Sequence, residues 1–273
     1  MIRKVCVIII CASLGLCFGA CTSYIAKQKK QAEAIRNLGE VYMAEGKYTL
    51  ALQELLRAEK LYNNDPFLYN DLGLAYMFKG KNDLAVKHFK KAVALKPDYA
   101  PALNNLGNAY MSRGDLDTAI DCYQKVVQDL LYLTPYRPLS NMGRAYYKKK
   151  EYKLAEKYYL EALKLEPEFL KALLGLGQTY LMLNRLPDAV STLETAVEVY
   201  ERAVQKADKK SRLAPQSTVL YFELAKAYQR SRSHAKAVKT YNRIIELFPG
   251  SSQAREAQKK AEETKKNGRS VHE

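Results

Sequence analysis

The chain has 273 residues and carries 44 lysines and arginines against 29 aspartates and glutamates, which gives a formal net charge of +15 at pH 7. This excess of cations is one feature of nucleic-acid-binding proteins, and it also favours attraction to anionic lipid or envelope polymer. The three histidines, His88, His234 and His272, are scattered and lack the spacing of metal ligands. We therefore expect no metal site and no cofactor.

An export signal is predicted over residues 1–20. Arg3 and Lys4 precede a short apolar run, and the small residues directly before Cys21 resemble the lipobox at which bacteria attach lipid to cysteine. An uncleaved membrane anchor is the alternative, but the apolar run is short for a span, which needs about 20 residues. We predict lipidation of Cys21 and a polar tether over residues 21–31.

Cleavage before Cys21 restricts the chemistry of the mature chain. Cys122 would be its one unmodified cysteine, so no disulfide framework is expected. Thr22 stands where an aspartate would retain a lipoprotein at the inner membrane in enterobacteria-like sorting, which favours the outer membrane, facing the periplasm. Export argues against nucleic acid as a partner, and a solvated outer face is the alternative explanation of the lysine excess.

A residue pattern recurs about every 34 residues along the rest of the chain, and this period and pattern resemble the tetratricopeptide repeat. Its clearest copy consists of Leu72, Gly73, Tyr76, Ala85, Phe89, Ala92 and Pro97. The resemblance implies an all-α fold, a right-handed superhelical solenoid of six helix–turn–helix repeats, with a C-terminal capping helix and a binding activity. We place the repeats at 32–65, 66–99, 100–133, 136–169, 170–203 and 218–251, with an insertion at 204–217 and the capping helix and frayed tail at 252–273.

Small residues in each repeat predict where its two helices approach closely. Gly73 and Gly107 lie on first helices, and Ala85 and Ala119 lie on the facing second helices. Pro97 ends a second helix because proline lacks the amide hydrogen that the helix needs. One such hairpin cannot bury its apolar face alone, so stability must come from contacts between neighbouring repeats.

A polar row is predicted on the inner surface, which the first helices form. It consists of Asn37, Asp71, Asn105 and Asn141, and it is widened by Asn70, Asn104 and Asn108. An asparagine amide can donate to and accept from the backbone of an extended partner. The alternative is that these amides satisfy neighbouring helices. Apolar contacts for a partner are expected from Phe67, Leu74, Met77, Phe78 and Met111, some of which could equally be core.

No combination of nucleophile, base and oxyanion donors, and no phosphate-binding glycine loop, stands out, so we predict that the protein is not an enzyme. One well-known use of this fold binds an acidic chain terminus through a clamp of cations and asparagines. Leu74 replaces a polar residue of that clamp and Asn141 replaces a cation. The cochaperone function is therefore not supported.

A closer resemblance is to the outer-membrane pilotins of type IV pilus biogenesis. It rests on the predicted lipoprotein signal, on the six repeats, and on the segment Tyr132-Leu133-Thr134-Pro135 before the fourth repeat, which is similar to the Tyr-x-Thr-Pro junction of that family. The resemblance implies a protein that binds the secretin subunit and assists its assembly. The alternative is a periplasmic scaffold that gathers peptidoglycan hydrolases or envelope proteases.

Overall fold

The computed structural model describes residues 24–129, 131–206 and 216–269, which form helices joined by short turns with no strand among them. The all-α prediction is thus confirmed for the described residues. The helices are α1 (24–44), α2 (Tyr48–Leu61), α3 (Pro66–Phe78), α4 (Asn82–Leu95), α5 (Ala100–Arg113), α6 (Leu116–Val127), α7 (Tyr136–Lys148), α8 (Tyr152–Leu165), α9 (Leu170–Met182), α10 (Leu186–Lys206), α11 (Gln216–Arg230), α12 (His234–Leu247) and α13 (Ser252–Arg269).

The chain divides into two compact units, the first ending at Lys125 and the second beginning at Val126. In the first unit α3 packs on α2 and α4, and in the second unit α8 packs on α7 and α9. Each unit has its own apolar core. Fully buried side chains include Leu55, Leu72 and Phe89 in the first unit and Leu193 and Ile244 in the second.

The predicted close approach of paired helices is confirmed. A Cβ added at Gly73 would lie 2.5 Å from Cε1 of Phe89, a distance at which something must shift. Ala85 and Ala119 are completely buried on the facing helices. The helices end where the prolines predict, since α4 stops at Leu95, two residues before Pro97.

The turn between the helices of a repeat requires a left-handed backbone. Gly80 and Gly114 supply it in the early repeats, with φ of 70° and 86°. Later repeats have Lys150, Asn184 and Arg232 at the equivalent position, with φ of 65°, 58° and 58°. A Cβ disfavours this conformation at Lys150 and Arg232, whereas asparagine, as at Asn184, adopts it more readily.

The structure fixes three element boundaries near the ends of the repeats. Residues 24–31 of the predicted tether are helical and continuous with α1, because no proline or glycine interrupts them. The apolar spacing of Val197, Tyr200 and Val204 predicts that the second helix of the fifth repeat continues into the insertion, and α10 does so as far as Lys206, whereas 207–215 lies outside the described residues. Helix α13 runs to Arg269, whereas the sequence predicts a frayed tail from Asn267 onward.

Candidate functional site

The first helices of the second unit form a groove of about 370 Å³. We call it the α7–α9–α11 groove after the helices that contribute most of its walls. It is lined by Ser140, Asn141, Arg144, Tyr147, Tyr159, Lys171, Leu174, Gly175, Gln178 and Val219. Asn141 is the one member of the predicted polar row among these residues.

Polar side chains on the groove walls are held by neighbours within the unit. Arg144 donates a hydrogen bond through Nη2 to Oδ1 of Asn141 over 3.2 Å. Gln178 donates through Nε2 to Oε1 of Glu223 over 3.2 Å, and the other oxygen of Glu223 lies 3.6 Å from Nζ of Lys226. Arg144 is exposed, and so is Lys171 across the groove. The walls therefore present cations and amides on a fixed framework.

Tyr159 reaches the floor of the groove from the second-helix layer. Its ring is 3% exposed and passes between two first helices at Gly143 and Gly175. A Cβ at Gly143 would lie 2.8 Å from Cδ1 of Tyr159. Burial raises the pKa of Tyr159, and the nearby Arg144 guanidinium opposes this only in part. The phenol therefore stays protonated and can donate a hydrogen bond.

In the first unit, part of the predicted polar row is tied into a buried network. Nδ2 of Asn105 donates to Oδ1 of Asn70 over 3.0 Å, and Nδ2 of Asn70 points at Oδ1 of Asp71 over 3.4 Å. Asn70 is 6% exposed and Asp71 is 7% exposed. Both side chains are thus bonded within the scaffold, which agrees with the alternative that the polar row satisfies neighbouring helices.

Arg36 is the cation at the end of this network. Its Nη1 lies 2.9 Å from Oδ2 of Asp65, and its Nε lies 3.3 Å from Oε1 of Glu40 and 3.7 Å from Oδ2 of Asp71. One guanidinium therefore lies among three carboxyl groups. Burial, followed by repulsion from Glu40, raises the pKa of Asp71 to about 8, although Arg36 acts in the opposite direction.

The remaining predicted site residues occupy different environments. Asn37 is exposed, whereas Asn104 and Asn108 are half-buried. Asn108 accepts a hydrogen bond from the Tyr123 hydroxyl over 2.9 Å. The predicted lipid attachment residue, Cys21, lies outside the described residues. The structure therefore leaves the binding role of the asparagine row a prediction.

The predicted apolar contacts separate into surface and core. Phe67 and Phe78 are exposed, while Leu74 and Met77 are half-buried. Met111 is buried at 4% exposure and belongs to the core. Met111 is therefore the member of this set that cannot offer apolar surface to a partner without a change in the fold.

Sequence reasoning missed Arg144, Lys171, Gln178 and Tyr159 as groove residues. Arg144 and Gln178 carry a usable signal, since each follows by one residue the glycine that marks close approach. A residue in that place lies on the first helix, near the same inner surface as the asparagine row. Tyr159 carries no such signal, because its position matches the buried residues Phe89 and Tyr123.

Two classes of site find no support among the residues that the structure describes. No group of three or more histidine, cysteine, aspartate or glutamate side chains there could hold a metal ion. Across the same ranges, none of the helices combines the length and apolar character needed to cross a bilayer.

Family models match most of the repeat region. Models of the TPR or tetratricopeptide repeat match residues 39–80, 75–112, 100–128, 140–211 and 220–251. Together these ranges span more than half of the chain.

Solved structures with the same fold include PilW, a widely conserved type IV pilus biogenesis factor, and PilF of Pseudomonas aeruginosa. PilW has a TM-score of 0.71 at 23% identity, over 83% of this chain and 98% of that chain. PilF has a TM-score of 0.66 at 20% identity, over 86% of this chain and 99% of that chain. YrrB, a TPR protein with an unusual peptide-binding site, has a TM-score of 0.51 at 18% identity, over 75% of this chain and 97% of that chain. At these identities the likeness shows the repeat fold.

A similar curated protein is the human Protein O-mannosyl-transferase TMTC3, with 28% identity over 116 residues, or 42% of this chain. The match spans 13% of the length of that transferase. A repeat scaffold of this kind is typical of non-enzymatic interaction proteins, and so small a part of the transferase carries none of its chemistry to this chain.

Proposed function

The chain belongs to the tetratricopeptide-repeat family, and from that premise we propose that it acts as a pilotin of a type IV pilus system. The repeat scaffold supports a protein-binding role, because stacked helix pairs build extended surfaces for protein partners. In the proposal, the partner is the secretin subunit of the pilus machinery. The protein binds a segment of that subunit and promotes its assembly into a ring.

The observation that carries this proposal is the likeness to PilW and PilF over nearly the whole length of both. It covers 83% of this chain for PilW and 86% for PilF. The segment before α7 adds support from the sequence, since Tyr132 to Pro135 resembles the pilotin junction.

Lipid attachment at Cys21 would supply the location, the periplasmic face of the outer membrane. Helix α1 is already formed at residue 24, so little chain would separate the lipid from the first repeat. The first unit would then lie close to the membrane surface. The cationic excess of the chain would add electrostatic attraction to anionic headgroups.

The test of the proposal is secretin assembly in cells. Deletion of the gene should abolish heat-stable secretin multimers, and the wild-type chain supplied in trans should restore them. A Cys21→Ser chain should lose fatty-acid labelling and restore multimers poorly, while Cys122→Ser serves as the matched control with label retained. Normal multimers in the deletion strain would refute the pilotin proposal, and altered wall cleavage in that strain would favour the scaffold for peptidoglycan hydrolases or envelope proteases.

A further inference from the structure

The α7–α9–α11 groove differs in charge from the other large grooves of the described residues. Arg144 and Lys171 belong to its lining, which contains no carboxylate. The groove beside α1 and α3 contains Glu33 and Asp65, and the groove beside α10 and α12 contains Glu201 and Glu246, each together with cations. Glu223 lies next to the α7–α9–α11 groove, where its Oε1 accepts from Gln178 and its buried Oε2 lies 3.6 Å from Nζ of Lys226. The charged side chains that line the groove itself are both cations.

Equivalent tyrosines elsewhere in the chain donate to an amide of the paired first helix. The Tyr123 hydroxyl donates to Oδ1 of Asn108 over 2.9 Å, and the Tyr241 hydroxyl donates to Oε1 of Gln229 over 3.0 Å. In each case an amide oxygen on the paired first helix accepts the hydrogen bond.

The residue of α7 that corresponds to Asn108 is Arg144. A guanidinium has five donors and no acceptor. Arg144 and Tyr147 are the neighbours whose charges act on Tyr159. Tyr159 and Arg144 therefore both bring hydrogen-bond donors to the lining of the groove.

Packing alone does not explain a hydroxyl at this position. Phe89 fills the equivalent space against Gly73 in the second repeat and is fully buried there. The ring is therefore sufficient for the contact between the paired helices. Gly175 opens the other side of the Tyr159 ring, since even a Cβ there would collide with the phenol. This opening lets the hydroxyl reach the groove.

We propose that the α7–α9–α11 groove binds a glutamate or aspartate side chain of an extended acidic segment in the protein partner. The Tyr159 hydroxyl donates to the carboxylate, and Arg144 and Lys171 flank it. Amides of Asn141 and Gln178 lie along the walls, where they can meet the backbone of the same segment. A volume of about 370 Å³ holds a carboxylate side chain together with its flanking backbone. This inference rests on the proposed function and names the chemistry of the partner segment.

A direct test uses the purified full-length chain in detergent and two fluorescein-labelled peptides, one of alternating glutamate and serine and one with glutamine in place of glutamate. Fluorescence anisotropy should show the glutamate peptide binding about tenfold more tightly, as expected for hydrogen bonds to a charged group. Tyr159→Phe should remove most of that difference and leave binding of the glutamine peptide unchanged. Arg144→Gln should do the same and should also weaken the dependence of affinity on salt.

Tyr123→Phe is the matched control, because it removes a hydroxyl from the same position of another repeat. That hydroxyl already donates a hydrogen bond to Asn108. This substitution should leave the preference for glutamate unchanged. Equal binding of the two peptides by the wild-type chain would overturn the inference. So would a glutamate preference that survives both Tyr159→Phe and Arg144→Gln, since the attraction would then come from the general positive charge.

Capture of the secretin separates this inference from the proposed function. Secretin captured equally well by wild type and by Tyr159→Phe would overturn the acidic-segment site and leave the pilotin proposal intact. Tyr159-dependent binding of the glutamate peptide without any capture of secretin would refute the pilotin proposal and leave the site intact.

Discussion

Gly107 tests whether the paired helices are as close as the structure shows. A Cβ at this position would lie 2.6 Å from Cε1 of Tyr123 and 2.9 Å from its Cδ1. Ordinary contacts begin near 3.4 Å, so Gly107→Ala would push the fully buried Tyr123 ring outward by roughly 0.8 Å. Overpacking of a core costs about 1–3 kcal/mol. The same movement disturbs the hydrogen bond from Tyr123 to Asn108, which is 2.9 Å long.

A favourable effect opposes this cost, because alanine stabilises a helix interior by about 1 kcal/mol relative to glycine. The two effects leave a net destabilisation of up to about 2 kcal/mol for Gly107→Ala, and more for Gly107→Leu, whose larger side chain overpacks further. In a unit of this size each kcal/mol lost lowers the melting temperature by about 4 °C. Thermal unfolding followed by circular dichroism measures the change.

Ser112→Ala is the matched control on the same helix. Ser112 is exposed, so the substitution improves helix propensity without overpacking and should leave the melting temperature unchanged or slightly higher. A double mutant that combines Gly107→Ala with Tyr123→Ala should show favourable coupling, because the clash is absent once the ring is removed. An unchanged or raised melting temperature for Gly107→Leu would refute the close approach.

The other predictions concern polar groups and turns. Asp71 has a pKa raised to about 8 in the folded state, against about 3.9 when unfolded, so its contribution to stability is complete below pH 4 and is lost as the pH rises through 8. Asp71→Asn should therefore raise the melting temperature at pH 9 and flatten its pH dependence, and a profile equal to that of wild type would contradict this. Lys150→Gly should stabilise by about 1 kcal/mol in urea unfolding because φ is 65°, whereas Gly114→Ala should cost a similar amount. Asn105→Ala should lower the melting temperature by leaving a buried amide oxygen unpaired, at a cost of about 1–3 kcal/mol, while Asn141→Ala should leave it nearly unchanged; equal effects would refute the distinction.

The repeat architecture could be predicted because its rules are local and steric. Gly73 and Ala85 recur at fixed spacing, and Pro97 ends the helix that contains Ala85. Each of these residues acts through size or backbone conformation, which the residue type alone determines. The start of α1 at residue 24, within the predicted tether, follows from a related rule. Residues 24–31 are polar on average, yet they have no helix breaker, and Ala32 and Ile35 bury the face that follows them.

The groove could not be predicted in the same way, because it depends on which side chains meet between helices. Tyr159 occupies a core position in its repeat, and its exposure to a groove follows from the absence of a side chain at Gly175, which belongs to the next repeat. At the position where Asn108 accepts from Tyr123 in the third repeat, Arg144 supplies a donor instead. Each residue is ordinary alone, and their combination becomes visible only when all three are placed together.

The asparagine row illustrates how one residue type at one repeat position acquires different roles. Asn105 donates to the buried Asn70, whose own amide points at Asp71, so its side chain completes a network inside the first unit. Asn141 instead accepts from the exposed Arg144 at the wall of a groove. A buried network is costly to break because its members lose partners that water cannot replace. An amide beside an open groove can exchange water for a partner backbone at little cost. The neighbours of each asparagine, rather than the asparagine itself, therefore decide whether its loss is measured in stability or in binding.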